Sequence, residues 1–177
     1  MKPSDPPPVN LFVGVLYTDD VLLENAIDAL KQRYGVLDYR SSVFDFDVSE
    51  YYVPEMGSPI RRIFVSFQPL VLPNAIARIK VETNRIEETL SVGGRRKVNL
   101  DCGYLDFDKA VLASAKYNGQ KVYLDLGIWA DLTLRYEKGN FYPYPWSFPD
   151  FKSGRYNRVF LDMRLLYRRK RKSRPDL

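Results

Sequence analysis

Apolar positions divide the chain into segments of two kinds. Val9 to Tyr17 (VNLFVGVLY) is a nearly unbroken apolar run, the pattern of a strand buried on both faces. Thr18 then offers a helix N-cap, and Asp19 and Asp20 place negative charge on the first turn. Leu23, Ile27, Leu30 and Tyr34 follow at spacings of 4, 3 and 4, one face of a helix that Gly35 stops. Val36 to Phe46 reads as a strand, Ser49 to Pro59 as a proline-stiffened loop, and Arg62 to Phe67 as a strand. Pro73 suits the first turn of a second helix. Ile76, Ile79, Thr83, Ile86 and Leu90 line one face of it, and Gly93-Gly94 end it. Lys97 to Asp101 is a short strand and Cys102-Gly103-Tyr104 a turn. Asp106 or Asp108 caps a helix running to Tyr117, packed through Ala110, Leu112, Ala113 and Ala115. Lys121 to Leu126 and Ile128 to Tyr136 alternate as strands. Lys138-Gly139-Asn140 turns the chain into a last short strand. Tyr142 to Phe151 is broken by prolines, and Ser153 caps a final helix carrying Tyr156, Phe160, Met163 and Tyr167.

The first hundred residues thus read β-α-β-β-α-β, the order of a ferredoxin-like split βαβ core. A helix, an antiparallel meander and a C-terminal helix extend it, so the class is α+β. Residues 1–8, with four prolines, form an extended leader. Residues 9–167 form one domain, and 168–177 a basic tail.

Composition matters here chiefly for what it removes. The 177 residues include one cysteine and no histidine. No Ser-His-Asp or Cys-His machinery can be assembled, and no multi-thiolate or histidine metal site. The net charge is +5, and the last ten residues alone carry +5, so the rest of the chain is neutral. A uniformly basic nucleic-acid surface is therefore not indicated, although Arg168 to Arg174 could touch RNA. No apolar run is long enough to span a bilayer and no export signal is evident, so the expected location is cytoplasmic.

Four stretches together resemble a known family. They are Asn10 to Tyr17 followed by Asp19-Asp20; Tyr51-Tyr52-x-x-Glu55-Met56-Gly57-Ser58-Pro59; Gly94-Arg95-Arg96-Lys97-Val98-Asn99-Leu100-Asp101; and Pro145-Trp146-x-x-Pro149-Asp150-Phe151. The set is similar to an uncharacterised bacterial family, number forty-four sixteen among the domains of unknown function, from about Val9 to Tyr167. Where that family reads Asp-Pro-Gly-Tyr, this chain has Asp101-Cys102-Gly103-Tyr104. The resemblance implies little about activity beyond a GTP-binding label attached to some relatives. The usual motif for that role is missing: there is no GxxxxGK[ST] loop, and Gly14 stands alone in an apolar strand.

The candidate chemistry centres on Gly93 to Asp101. Two glycines permit a sharp turn, and Arg95 and Arg96 supply planar forks suited to phosphate or carboxylate. Strand alternation points Val98 and Leu100 to the core and Asn99 and Asp101 to the other side. The loop from Tyr51 to Arg62 adds Glu55 and Tyr52. On the later strand Trp129, Asp131, Thr133 and Arg135 share a face; if that face is a groove and not solvated, Arg135 and Asp131 join Arg95 and Asp101. The expected pocket holds an anionic, phosphate-bearing small molecule, with a nucleotide as one candidate. Arg95, Arg96 and Arg135 grip it, Asn99, Asp101 and Glu55 orient it, and Tyr52 and Tyr104 wall it. Two alternatives stand beside this. One is an RNA-associated accessory protein using the basic tail. The other is a carboxylate hydrolase using a divalent ion such as Mg²⁺, which needs only oxygen ligands.

Overall fold

The computed structural model describes residues 2–173. In chain order the elements are β1 (Val9–Tyr17), α1 (Asp20–Tyr34), β2 (Leu37–Arg40), β3 (Phe44–Asp45), α2 (Val53–Met56) and β4 (Arg61–Val71). A 3-10 turn at Pro73–Ala75 leads into α3 (Ile76–Thr89). There follow β5 (Val98–Leu105), β6 (Lys109–Ser114), β7 (Val122–Asp125), β8 (Ile128–Glu137), β9 (Asn140–Pro143), α4 (Pro149–Lys152) and α5 (Asn157–Lys172). The class is α+β, with nine strands in one antiparallel sheet and five α-helices among the described residues. The main path of the sheet is β2-β4-β1-β5-β6-β8-β7, with β3 on β4 and β9 on β8.

Every residue of β1 is buried, as its unbroken apolar run predicts for a strand covered on both faces. One face carries Leu11, Val13, Val15 and Tyr17, which pack with Ile63, Val65 and Phe67 of β4 and Val98, Leu100 and Cys102 of β5. This side is roofed by α1 through Leu23, Ile27 and Leu30, and by α3 through Ile76, Ile79 and Ile86. The opposite face carries Phe12 and Phe64, covered by Phe160, Met163 and Tyr167 of α5. Phe160 meets Phe12, Phe64 and Phe141 with ring centroids 5.2, 5.5 and 5.8 Å apart. Such aromatic pairs add to the hydrophobic gain of burial.

Several local expectations are corrected. The stretch read as a helix from Asp106 to Tyr117 holds β6 instead. Asp106 Oδ1 does accept the backbone N–H groups of Asp108 and Lys109, at 2.8 and 2.9 Å. An N-cap makes the same kind of bond, but here it closes the hairpin between β5 and β6. The turn expected at Cys102-Gly103-Tyr104 is strand, because β5 runs on to Leu105. The cap of α1 is Asp19, whose Oδ1 accepts Leu22 N–H at 2.9 Å, and Thr18 instead donates to Met56 O. Ser153 ends α4 and does not cap α5. The strand expected from Val36 to Phe46 is two short pieces, β2 and β3.

The last helix extends past Tyr167. α5 continues as helix to Lys172, and Lys170 is tied into the body. Its Nζ reaches Asp38 Oδ2, Asn10 Oδ1 and Phe67 O, each at 2.5 Å. The tail residues from Arg174 onward lie outside the described residues. At the other end of the chain, Pro8 O accepts the Tyr167 hydroxyl at 2.9 Å. Among the described residues no helix is long and apolar enough to cross a membrane.

One feature of the sheet creates the candidate site. β5 pairs with β1 along its whole length, but with β6 only at Gly103–Leu105 against Ala110–Leu112. Toward Val98 and Ser114 the two strands part, while β6 stays paired with β8. The sheet is therefore split like a V closed at Gly103. Gly103 is required at the apex: a Cβ there would lie 2.4 Å from Val111 O and 2.8 Å from Phe12 Cζ.

Candidate functional site: the cleft between the parted strands

Where β6 leaves β5, the freed backbone groups of β5 need new partners. α3 provides them. Leu100 N–H donates to Glu87 Oε1 at 2.7 Å, and Lys80 Nζ donates to Leu100 O at 2.7 Å. Both side chains are buried, and the ammonium and carboxylate lie 3.7 Å apart. Burial holds the Glu87 carboxyl above the ordinary carboxylate range, although Lys80 and Arg96 pull the other way. Two α3 side chains thus stand in for a strand, and above them a cleft of about 610 Å³ remains open.

A chain of alternating charges lines one wall. Arg96 Nη1 donates to Glu87 Oε2 at 3.1 Å and to Asn99 Oδ1 at 3.2 Å. Its Nε and Nη2 hold Glu55 at 2.8 and 2.7 Å. Hydrogen bonds from Arg96 keep the Glu55 carboxyl below its usual value. Asn99 Nδ2 donates to Asp101 Oδ1 at 2.9 Å, and Asp101 Oδ2 accepts from Arg62 Nη2 at 2.6 Å. Arg62 also donates to Asp150, which accepts the Tyr156 hydroxyl at 3.1 Å. Arg62 is 4% exposed and sits among Phe46, Phe64, Phe151 and Tyr156, with ring centroids 5.0 to 5.9 Å from its guanidinium carbon. Cation–π attraction and two carboxylates together offset its desolvation.

The facing wall comes from β6, β8 and the segment between β6 and β7. Lys121 Nζ meets Ser114 Oγ at 2.9 Å, Lys116 O at 3.2 Å and Asp131 Oδ2 at 3.4 Å. Lys116 is exposed at the rim, where its ammonium contacts the Tyr51 hydroxyl and lies 4.3 Å from the Tyr51 ring centroid. Phe46, Tyr52 and Phe148 add aromatic surface to the cleft.

The structure brings together some of the residues expected from sequence and separates others. Arg96, Asn99, Asp101 and Tyr52 line the cleft, and Glu55 holds Arg96 from its edge. Three expected residues stand apart. Arg95 is exposed in a two-residue turn closed by bonds between Val92 and Arg95. Gly93 and Gly94 have φ of 58° and 73° and serve that turn, not a close ligand approach. Tyr104 shares the α1/α3 face with Val98, Leu100 and Cys102, opposite Asn99 and Asp101. Arg135 is turned away by a bulge. Leu112 pairs with Asp131 and Val111 with Leu132, but Ala110 pairs with Leu134, so Thr133 is the extra residue. Beyond it the alternation inverts. Leu134 joins the α5 core, while Arg135 pairs with Glu137 at 3.4 Å and faces Tyr142 and Tyr144. The shared grip of Arg95, Arg96 and Arg135 therefore does not exist.

The sequence reading missed Lys80, Glu87, Lys116, Lys121 and Asp150. For two of them a signal was present. Lys80 and Glu87 stand four residues after Ile76 and Thr83, on the edge of the apolar stripe of α3. A charge in that place is a buried charge in need of a partner. Lys116 and Lys121 carry no comparable mark.

Cys102 is not part of this chemistry. It is fully buried, its pKa is pushed up to about 11 by that burial, and its sulfur lies 3.8 Å from Thr83 Oγ1. A thiol so placed is protonated and shielded at neutral pH. Ellman's reagent at pH 8 should leave the folded protein unlabelled and titrate one thiol in denaturant. Stoichiometric labelling within minutes under native conditions would contradict this placement.

Among the described residues no three acidic or thiol side chains converge in a way that could hold a metal ion. Comparison with curated proteins and with solved structures returns no match. Comparison with family models does: residues 7–167 match the one described as "Domain of unknown function (DUF4416)", and the chain belongs to that family.

Proposed function

We propose that the cleft binds a small organic anion, with a phosphate or carboxylate group at Lys116 and an apolar or planar body against Tyr52, Phe46 and Phe148. The observation that carries this reading is the state of the cations. Arg62, Lys80, Arg96 and Lys121 are each committed to carboxylate or carbonyl oxygens of the protein. Lys116 alone among the cations lining the cleft has no acidic partner among the described residues. The committed groups form a rigid frame, which lowers the cost of binding. The volume lies within the range of small-molecule sites, roughly 300–1,000 Å³.

The test is calorimetry with phenyl phosphate, ribose 5-phosphate and AMP. A phosphate-bearing ligand should bind the wild type, Lys116→Ala should weaken it at least tenfold, and Arg95→Ala should change it less than twofold. Equal loss in both variants, or loss only in Arg95→Ala, returns the site to the glycine-led turn.

The strand order β2-β4-β1-β5, with α1 and α3 on one face, supports reading this half as a split βαβ core to which β6 to β9 are appended. The RNA reading retains one supporting observation. Arg168, Arg169 and Lys172 are exposed on an ordered helix. Its mark would be RNA affinity that falls steeply with salt and is lost when these three are replaced. The divalent-ion hydrolase gains no support from the geometry.

A further inference from the structure

Among the described residues Asp131 is the one buried carboxylate of the cleft whose bonding is incomplete. It is 4% exposed, yet its Oδ1 has no hydrogen-bond partner and its Oδ2 meets only Lys121 Nζ, at 3.4 Å. The other carboxylates of the cleft interior are satisfied. Glu87 accepts from Leu100 N–H and Arg96, Asp101 from Asn99 and Arg62, and Asp150 from Arg62 and Tyr156. Lys121 does not need Asp131 to stay in place, because it also donates to Ser114 Oγ and Lys116 O. Nor is the position accidental. Asp131 pairs with Leu112, which pairs with Gly103 at the apex of the V, so the pairing fixes Asp131 on the cleft wall. A buried acceptor left unpaired costs stability unless something fills it.

Resting on the anion-binding reading above, we infer that Asp131 is a specificity-determining residue: it accepts a hydrogen bond from a hydroxyl or ammonium group of the ligand. The ligand is then not a plain anion. It carries an anionic group for Lys116 and a donor for Asp131, as a sugar phosphate, a phosphorylated amino alcohol or an amino acid does. The pairing of the other buried carboxylates leaves Asp131 as the buried acceptor that discriminates, because a ligand without the donor leaves it unpaired. Sites built to hydrogen-bond a ligand group reject analogues that lack it.

The experiment compares two sets of phosphates on wild type, Asp131→Asn and Lys116→Ala. The donor-free set is methyl phosphate and phenyl phosphate. The donor-bearing set is ribose 5-phosphate, glucose 6-phosphate, phosphoethanolamine and phosphoserine. Wild type should bind at least one donor-bearing probe tenfold or more tightly than either donor-free probe. Asp131→Asn should cut that advantage at least threefold, because a neutral amide oxygen accepts more weakly than a carboxylate, while leaving donor-free binding within twofold. Lys116→Ala should weaken both sets alike. A second readout separates recognition from structure: Lys121 keeps Ser114 Oγ and Lys116 O as acceptors, so unligated Asp131→Asn should melt within about 5 °C of wild type. The inference is overturned if the donor gives wild type no advantage, or if Asp131→Asn weakens both sets equally. It is also overturned if Asp131→Asn lowers the melting temperature with ligand preference unchanged. If wild type binds no phosphate of either set, or Lys116→Ala is without effect, the anion-binding reading itself falls and takes this inference with it.

Discussion

Replacing Arg62 by methionine should destabilise the domain by about 3–5 kcal/mol, the usual cost of removing one partner from a buried ion pair. At roughly 2–4 °C per kcal/mol for a chain of this size, the melting temperature should fall by some 6–20 °C. The reason lies in what remains. Asp150 is 1% exposed, and without Arg62 it keeps only the Tyr156 hydroxyl, while Asp101 keeps only Asn99. Asp150 would then sit buried with no cation, and the partly exposed Asp101 would lose its ion-pair partner. The same argument predicts a partial rescue. The double variant Arg62→Met, Asp150→Asn should be more stable than Arg62→Met alone, because asparagine removes the orphaned charge and its amide oxygen still accepts from Tyr156. A double-mutant cycle by thermal or urea denaturation measures this coupling. Strict additivity of the two substitutions would show that Arg62 acts through packing alone.

The second large effect is expected at the apex of the split sheet. Gly103→Ala should cost about 1–3 kcal/mol, the range for forcing extra volume into a packed core. The value should fall toward the top of that range, because the added Cβ meets a backbone oxygen, Val111 O, which cannot rotate away. Leu112 Cδ2 and Phe12 Cζ close the remaining space at 3.1 and 2.8 Å. The consequence reaches the cleft. Separating β5 from β6 at residue 103 moves the wall that carries Lys116, Lys121 and Asp131 relative to the wall that carries Asn99 and Asp101. Ligand affinity should therefore fall more than tenfold even in the fraction that remains folded. Urea denaturation and calorimetry on this single variant read the two effects separately. Gly103→Ala with wild-type stability would mean that β5 and β6 are not in close contact at the apex.

The parts of the molecule legible from sequence are those governed by local period. β1, α1, α3 and α5 follow from apolar spacing, and the burial of Tyr156, Phe160, Met163 and Tyr167 follows from a 4-3-4 stripe. The faces of Val98 to Asp101 were also legible, since strand alternation needs no knowledge of the partner. What failed was set by distant contacts. The alanines around 110–115 favour helix locally, yet Ala110, Val111, Leu112 and Ala113 are buried in the middle of a sheet. The bulge at Thr133 inverts the face of Arg135, and no residue nearby announces it. Tyr104 is expected from sequence to wall the pocket, but as part of β5 it falls on the opposite face by parity alone. The cleft itself arises because two strands part, and that is a relation between segments that no single segment encodes.

Of the arginines that stood out in sequence, Arg96 has a structural place in the cleft wall. Arg96 binds Glu55, Glu87 and Asn99 at once and so fastens α2 and α3 to β5. A guanidinium with so many protein acceptors is, on the proposal above, part of the frame and not the anion receptor. The working groups proposed here, Lys116 and Asp131, are those the frame leaves incompletely satisfied.

The most direct test of that claim is a backbone amide map of the ¹⁵N-labelled protein titrated with ribose 5-phosphate. Saturable shifts should cluster at residues 113–116, 99–101 and 51–52, on both walls of the cleft, with residues 92–95 and 168–172 unmoved. Shifts confined to the Val92–Arg95 turn or to the end of α5, with the cleft silent, would contradict the account.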